Sequence, residues 1–128
     1  MVSKYFEKIG KIISGFQEII NSQTISKKIF NDTQGLISGE INFTNESELS
    51  FMELKNSKQK NKKNYKYHYM DNTKNMIFRY DNAKHHQEIK TFPHHKHIYG
   101  KIENNKEPEL IDILSEIQAE IMNNNEIK

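Results

Sequence analysis

Cysteine is absent from this 128-residue chain, which excludes a disulfide framework and thiolate metal sites and suits a reducing compartment. Long apolar runs are absent as well. No stretch approaches the ~20 residues that a membrane-spanning helix requires, and the N-terminus lacks the basic, apolar and small-residue regions of a signal peptide. A cytoplasmic location without a membrane partner is the expectation. Hydrophobic residues are few, at 34%, so the core has to come from a few strands and one or two amphipathic helices, or be completed by a partner or a second copy in a homodimer. A chain of this length is expected to form one domain over residues 1–128. Arginine is the scarcest basic residue: Arg79 stands alone, and every other fixed positive charge is a lysine. The net charge of +2 is too small to argue for nucleic-acid binding by itself.

Lysine and histidine are concentrated in two places. Lys55, Lys58, Lys60, Lys62, Lys63 and Lys66 follow one another with no acid between them. Such a run either attracts phosphates through counterion release or forms a solvated loop. Five of the six histidines, His85, His86, His94, His95 and His97, fall shortly after Arg79. Histidine titrates closest to neutrality, so a cluster of it beside a guanidinium fits phosphate chemistry or metal binding.

The hydrophobic period changes along the chain. Tyr5, Ile9, Ile12, Phe16, Ile19 and Ile20 recur at three- and four-residue steps, widened by Phe6 and Ile13. This predicts a helix over 4–20 with Ser3 as its cap. Residues 23–34 read as a loop with room for one more turn or a short strand. From Gly35 the period becomes two, and strands are predicted at about 35–43, 48–54, 65–70 and 76–81, separated by turn clusters and by the lysine-rich connection. Short connections make an antiparallel meander. Pro93 forbids a central ladder position around it, so 83–97 reads as a histidine-rich shaped loop with room for an edge strand at 94–98. Pro108 suits the opening of a helix over 109–123, whose apolar stripe is Leu110, Ile113, Leu114, Ile117 and Ile121. The fold class expected is α+β: a four- to five-stranded antiparallel meander packed by an N-terminal and a C-terminal helix. Alternation puts Arg79 and Asp81 on one face of the last of these strands, with His68 near that face if the neighbouring strands pair.

Three segments carry a family likeness. Tyr67-His68-Tyr69-Met70-Asp71, then Ile77-Phe78-Arg79-Tyr80-Asp81-Asn82-Ala83-Lys84-His85-His86, then Phe92-Pro93-His94-His95-Lys96-His97 resemble the signature of the TumE family, small toxins of toxin–antitoxin pairs. The resemblance spans roughly residues 35–120 and is sharpest over 65–98. It implies growth-inhibiting activity and a helix-turn-helix antitoxin as partner. It carries no catalytic mechanism. Lys84 departs from the proline expected there, and the lysine-rich connection is particular to this chain, so phosphate binding at 55–64 does not follow from the family.

The chemistry is therefore argued from the side chains. A ribonuclease, with RNA as substrate, is the first reading. Cleavage without a metal needs a base for the 2′-hydroxyl, an acid for the leaving oxygen and cations on the phosphorane. Two histidines among His85, His86, His94, His95 and His97 fill the first two roles. Arg79 clamps two phosphate oxygens at once, which a lysine does not. Asp81 can orient a histidine through its ring N–H and fix the tautomer. Lys96 and His68 add positive charge for the substrate, and Tyr67, Tyr69 and Tyr80 can stack on unpaired bases. No cofactor is expected. A divalent metal is the second reading, open to a nuclease or a nucleotidyltransferase: His95 and His97 have a His-x-His spacing, and His85, Asp81 or Glu53 can complete a shell. The third is a non-enzymatic toxin or regulator that acts by binding protein or nucleic acid. Each functional role has a structural alternative: histidines can pack a loop on the sheet, Asp81 can form a turn, and the tyrosines can be core.

Overall fold

A computed structural model describes residues 1–82, 94–98, 101–104 and 106–127. The chain is α+β. Helix α1 (Val2–Ser14) is followed by a short 3-10 turn (Gln17–Ile19), strands β1 (Ile20–Ile29), β2 (Gln34–Phe43), β3 (Glu48–Asn56), β4 (Asn64–Met70), β5 (Met76–Asp81), β6 (His95–Ile98) and β7 (Lys101–Asn104), and helix α2 (Leu110–Ile127). All seven strands form one antiparallel sheet in sequence order.

Alternation along the strands sorts the sheet into two faces. Ile37, Ile41 and Phe43 of β2, Leu49 and Phe51 of β3, Tyr65, Tyr67 and Tyr69 of β4, and Phe78 and Tyr80 of β5 are buried under the two helices. Helix α1 contributes Val2, Phe6, Ile9 and Ile13 to that core, and α2 contributes Leu110, Ile113, Leu114, Ile117 and Ile121. The intervening strand residues, among them Ser38, Ser50, Lys66, His68, Arg79 and Asp81, face the helix-free side. Their partial exposure reflects this, Asp81 excepted.

The three core tyrosines of β4 each keep a partner for the hydroxyl, as burial demands: an unmade bond there would cost about 1–3 kcal/mol. Tyr67 donates to Glu53 Oε2 at 2.7 Å and Tyr69 to Ser47 Oγ at 2.6 Å. The Tyr65 hydroxyl lies 2.9 Å from His94 Nδ1. Tyr5 also donates to Glu53, whose carboxyl is pushed above the usual range by burial, against the pull of the two tyrosines and Lys62.

Four expectations need correction. The first helix ends at Ser14 rather than at residue 20, and it starts at Val2 without a Ser3 cap; the Val2 N–H bonds Asp32 O at 3.0 Å instead. Residues 20–29 form a ten-residue strand that the sequence hides. As the sheet's edge it lies almost wholly exposed, so it carries no apolar alternation to detect. Among the described residues the sheet has seven strands, not four or five, because β1, β6 and β7 extend the meander at both ends. Strand β6 is not an edge: β7 pairs with it.

The lysine run is also resolved. Lys55 donates to the carbonyls of Gln59 and Lys60, both at 2.7 Å, and folds the connection on itself. Lys62 is buried, bonded to Pro108 O at 2.7 Å and ion-paired with Glu107 at 3.3 Å, fixing the approach to α2. Two of the six lysines thus serve architecture.

Candidate active site on the helix-free sheet face

Strand register gathers the charged motif residues. His68 pairs with Arg79, and Arg79 with His97, so the three form one row across β4, β5 and β6. Lys66 pairs with Asp81, and Asp81 with His95, forming the adjacent row. Neighbouring strands lie about 4.8 Å apart, which places the His68 and His97 backbones roughly 10 Å from each other with Arg79 between them.

Asp81 is the anchor. It is only 2% exposed, and its Oδ2 lies 2.9 Å from Arg79 Nε and 3.5 Å from His97 Nε2. The carboxylate thus ion-pairs with the guanidinium and faces the imidazole at longer range, without hydrogen-bond geometry to either. Arg79 is engaged along its Nε edge, and its side chain remains 37% exposed on the open face. His68 Nδ1 is buried and has no hydrogen-bond partner among the described residues. Burial lowers the His68 pKa, and the charges of Arg79 and Lys66 lower it further, which favours the neutral ring.

Asn82 closes the end of the site. Its side chain accepts from Tyr65 N–H at 3.0 Å and donates to Lys63 O at 3.3 Å, extending the β4–β5 pairing beyond the last backbone rung.

The remaining expected site residues separate. Lys96 is on the helix side: Nζ is 3.2 Å from Glu116 Oε2 of α2 and 4.8 Å from the Tyr80 ring centre. Burial lowers its pKa, but the Tyr80 hydroxyl and Glu116 outweigh that and raise it. Lys96 ties β6 to α2 and is turned away from Arg79. His94 is on the helix side too, stacked on Tyr65 with ring centres 5.8 Å apart. Tyr67, Tyr69 and Tyr80 are core residues, at 0%, 0% and 6% exposure, so none offers a ring face to a base. Glu53 is buried on the opposite face of the sheet from Asp81 and cannot share a coordination shell with it. His85 and His86 lie outside the described residues, as do Lys84 and most of the expected 83–97 loop. His95 enters by backbone register alone, as the partner of Asp81. Among the described residues no group of three or more histidine, aspartate or glutamate side chains stands ready to hold a metal ion.

Arg79, Asp81 and His97 come from two of the three signature segments and meet on one face of the sheet. The family model described as toxin TumE matches residues 9–125, nearly the whole chain. The chain belongs to the TumE toxin family. Comparison with curated proteins and with solved structures finds no match. Membership makes this a toxin and points to an antitoxin partner. No helix among the described residues is long and apolar enough to cross a membrane. The match reaches further toward both termini than the motif resemblance, taking in the second half of α1 and most of α2.

Proposed function

We propose that this TumE toxin is a ribonuclease whose site is the row His68–Arg79–His97 on the helix-free face. The observation that carries the reading is the shared Asp81 carboxylate, which fixes Arg79 and His97 side by side next to a neutral His68. A phosphate seated on the Arg79 guanidinium has an imidazole on either side. His68 takes the proton of the 2′-hydroxyl, and the 2′-oxygen attacks the adjacent phosphorus. The bond from phosphorus to the 5′-oxygen breaks as His97, oriented by Asp81, supplies the leaving oxygen with a proton. Arg79 neutralises the charge that builds on the non-bridging oxygens. The products are a 2′,3′-cyclic phosphate and a 5′-hydroxyl, and the two histidines exchange protonation states.

A metal-dependent version rests on one specific observation: the His97 imidazole and the Asp81 carboxylate, two groups that ligate divalent metals, lie 3.5 Å apart. Cleavage of a mixed-sequence RNA by purified protein, with and without EDTA, separates the two readings. Activity that persists in EDTA and leaves 5′-hydroxyl ends is expected. Activity abolished by EDTA and restored by manganese or zinc replaces the acid–base pair with a metal site. Toxicity without any RNA cleavage leaves the binding mode of action.

A further inference from the structure

The cleavage chemistry leaves part of the helix-free face unused. A groove of about 400 Å³ crosses β1 to β4, lined chiefly by Thr24, Ser26, Ser38, Glu40, Ser50 and Lys66. The volume lies within the range of small-ligand pockets, about 300–1,000 Å³. Its origin is legible in the register. Ser26 faces Ser38, Thr24 faces Glu40, and Ser50 lies between Glu40 and His68, so short side chains occupy the middle of the face. Leu36 and Leu54, paired with each other, bound it on one side, and Met70 on the other.

The groove runs straight into the proposed cleavage row, because the register partner of Ser50 is His68 and that of Met52 is Lys66. Its chemistry is four hydroxyls that both donate and accept, one carboxylate and one ammonium. Phe51 contributes only from beneath and belongs to the core, so ring stacking is not the means of recognition. The geometry points to this groove as the subsite for the nucleoside that adjoins the cleaved phosphate in a single strand of RNA. The hydroxyls read the ribose and the base edge, and Lys66 meets the next phosphate. A hydroxyl-lined site beside a phosphate clamp favours RNA over DNA, since the 2′-hydroxyl is both donor and acceptor. This assignment takes its ligand class from the ribonuclease reading.

The test is fluorescence anisotropy with end-labelled pentanucleotides of RNA, of DNA of the same sequence, and of duplex RNA. Binding is measured in a His97→Ala background to prevent cutting, and cleavage with His97 intact. Ser38→Leu and Ser50→Leu fill the groove from two different strands, and circular dichroism identifies which of them folds. Single-stranded RNA is expected to bind about tenfold tighter than DNA or duplex, and each folded leucine variant to lose about tenfold in affinity for it. Equal binding of RNA and DNA, or unchanged affinity in a folded leucine variant, overturns the groove assignment while leaving RNA cleavage intact. Binding as expected by a wild-type protein that cuts no RNA overturns the cleavage reading and leaves the groove. Absence of any RNA binding overturns both.

Discussion

Arg79 is held by Asp81 along its Nε edge, and a lysine in its place has no planar pair of donors to offer a phosphate. Arg79→Lys is therefore expected to keep the fold and to lower RNA cleavage by about 10- to 100-fold, the worth of one charged hydrogen bond. Full activity in a lysine variant would remove the clamp from the account. His68 carries the pH prediction. Its folded-state pKa is lowered by burial and then by Arg79 and Lys66, so protonation costs stability. That stability is present above the ordinary histidine value of about 6.5 and is lost as pH falls through the lowered value. Imidazole NMR titration should place the His68 midpoint below about 6.5 in the wild type. Arg79→Met should raise it, because one of the neighbouring charges is gone. A midpoint indifferent to Arg79 would separate the two residues and undo the row.

At the scale of elements, the pairing of β6 with the rest of the fold depends on the helix side. Lys96→Ala removes the contact with Glu116 and the packing over Tyr80. A loss of roughly 1–2 kcal/mol is expected by urea unfolding, between the values of exposed and buried pairs, with cleavage retained wherever the variant is folded. Loss of cleavage with unchanged stability would return Lys96 to the substrate. Gly39 is the corresponding point for β1. A Cβ there would meet Thr24 O at 2.7 Å and Ile25 Cδ1 at 2.6 Å, so Gly39→Ala should destabilise by about 1–3 kcal/mol in the same assay. A neutral effect would mean that the edge strand yields freely. These elements also show what a sequence can reveal. Strands β2 to β5 were legible because one face is apolar and the other polar, which produces a clean two-residue period. Strand β1 was not, because an exposed edge has no buried face to mark. Arg79 and Asp81 were legible as one face of β5, and His68 followed once register joined β4 to it. The histidine cluster misled where it was treated as one unit: strand alternation sends His94 and Lys96 to the helix layer and His97 to Asp81. The tyrosines misled because a repeated aromatic reads equally as stacking surface or core, and only the two helices decide.

Taken whole, the molecule divides its labour between the faces of one sheet. Both helices cover one side and bury the apolar half of β2 to β5, as a chain with few hydrophobic residues requires. The other side is free to collect the lone arginine, its carboxylate and two histidines. The central claim is that this surface cuts RNA, and it is tested most directly by sequencing RNA ends from cells expressing the wild type, Arg79→Ala and His97→Ala at matched levels. New 5′-hydroxyl ends are predicted with the wild type and should be absent from both variants, with growth restored. Growth arrest over intact RNA, or equal cutting by the folded variants, would contradict it.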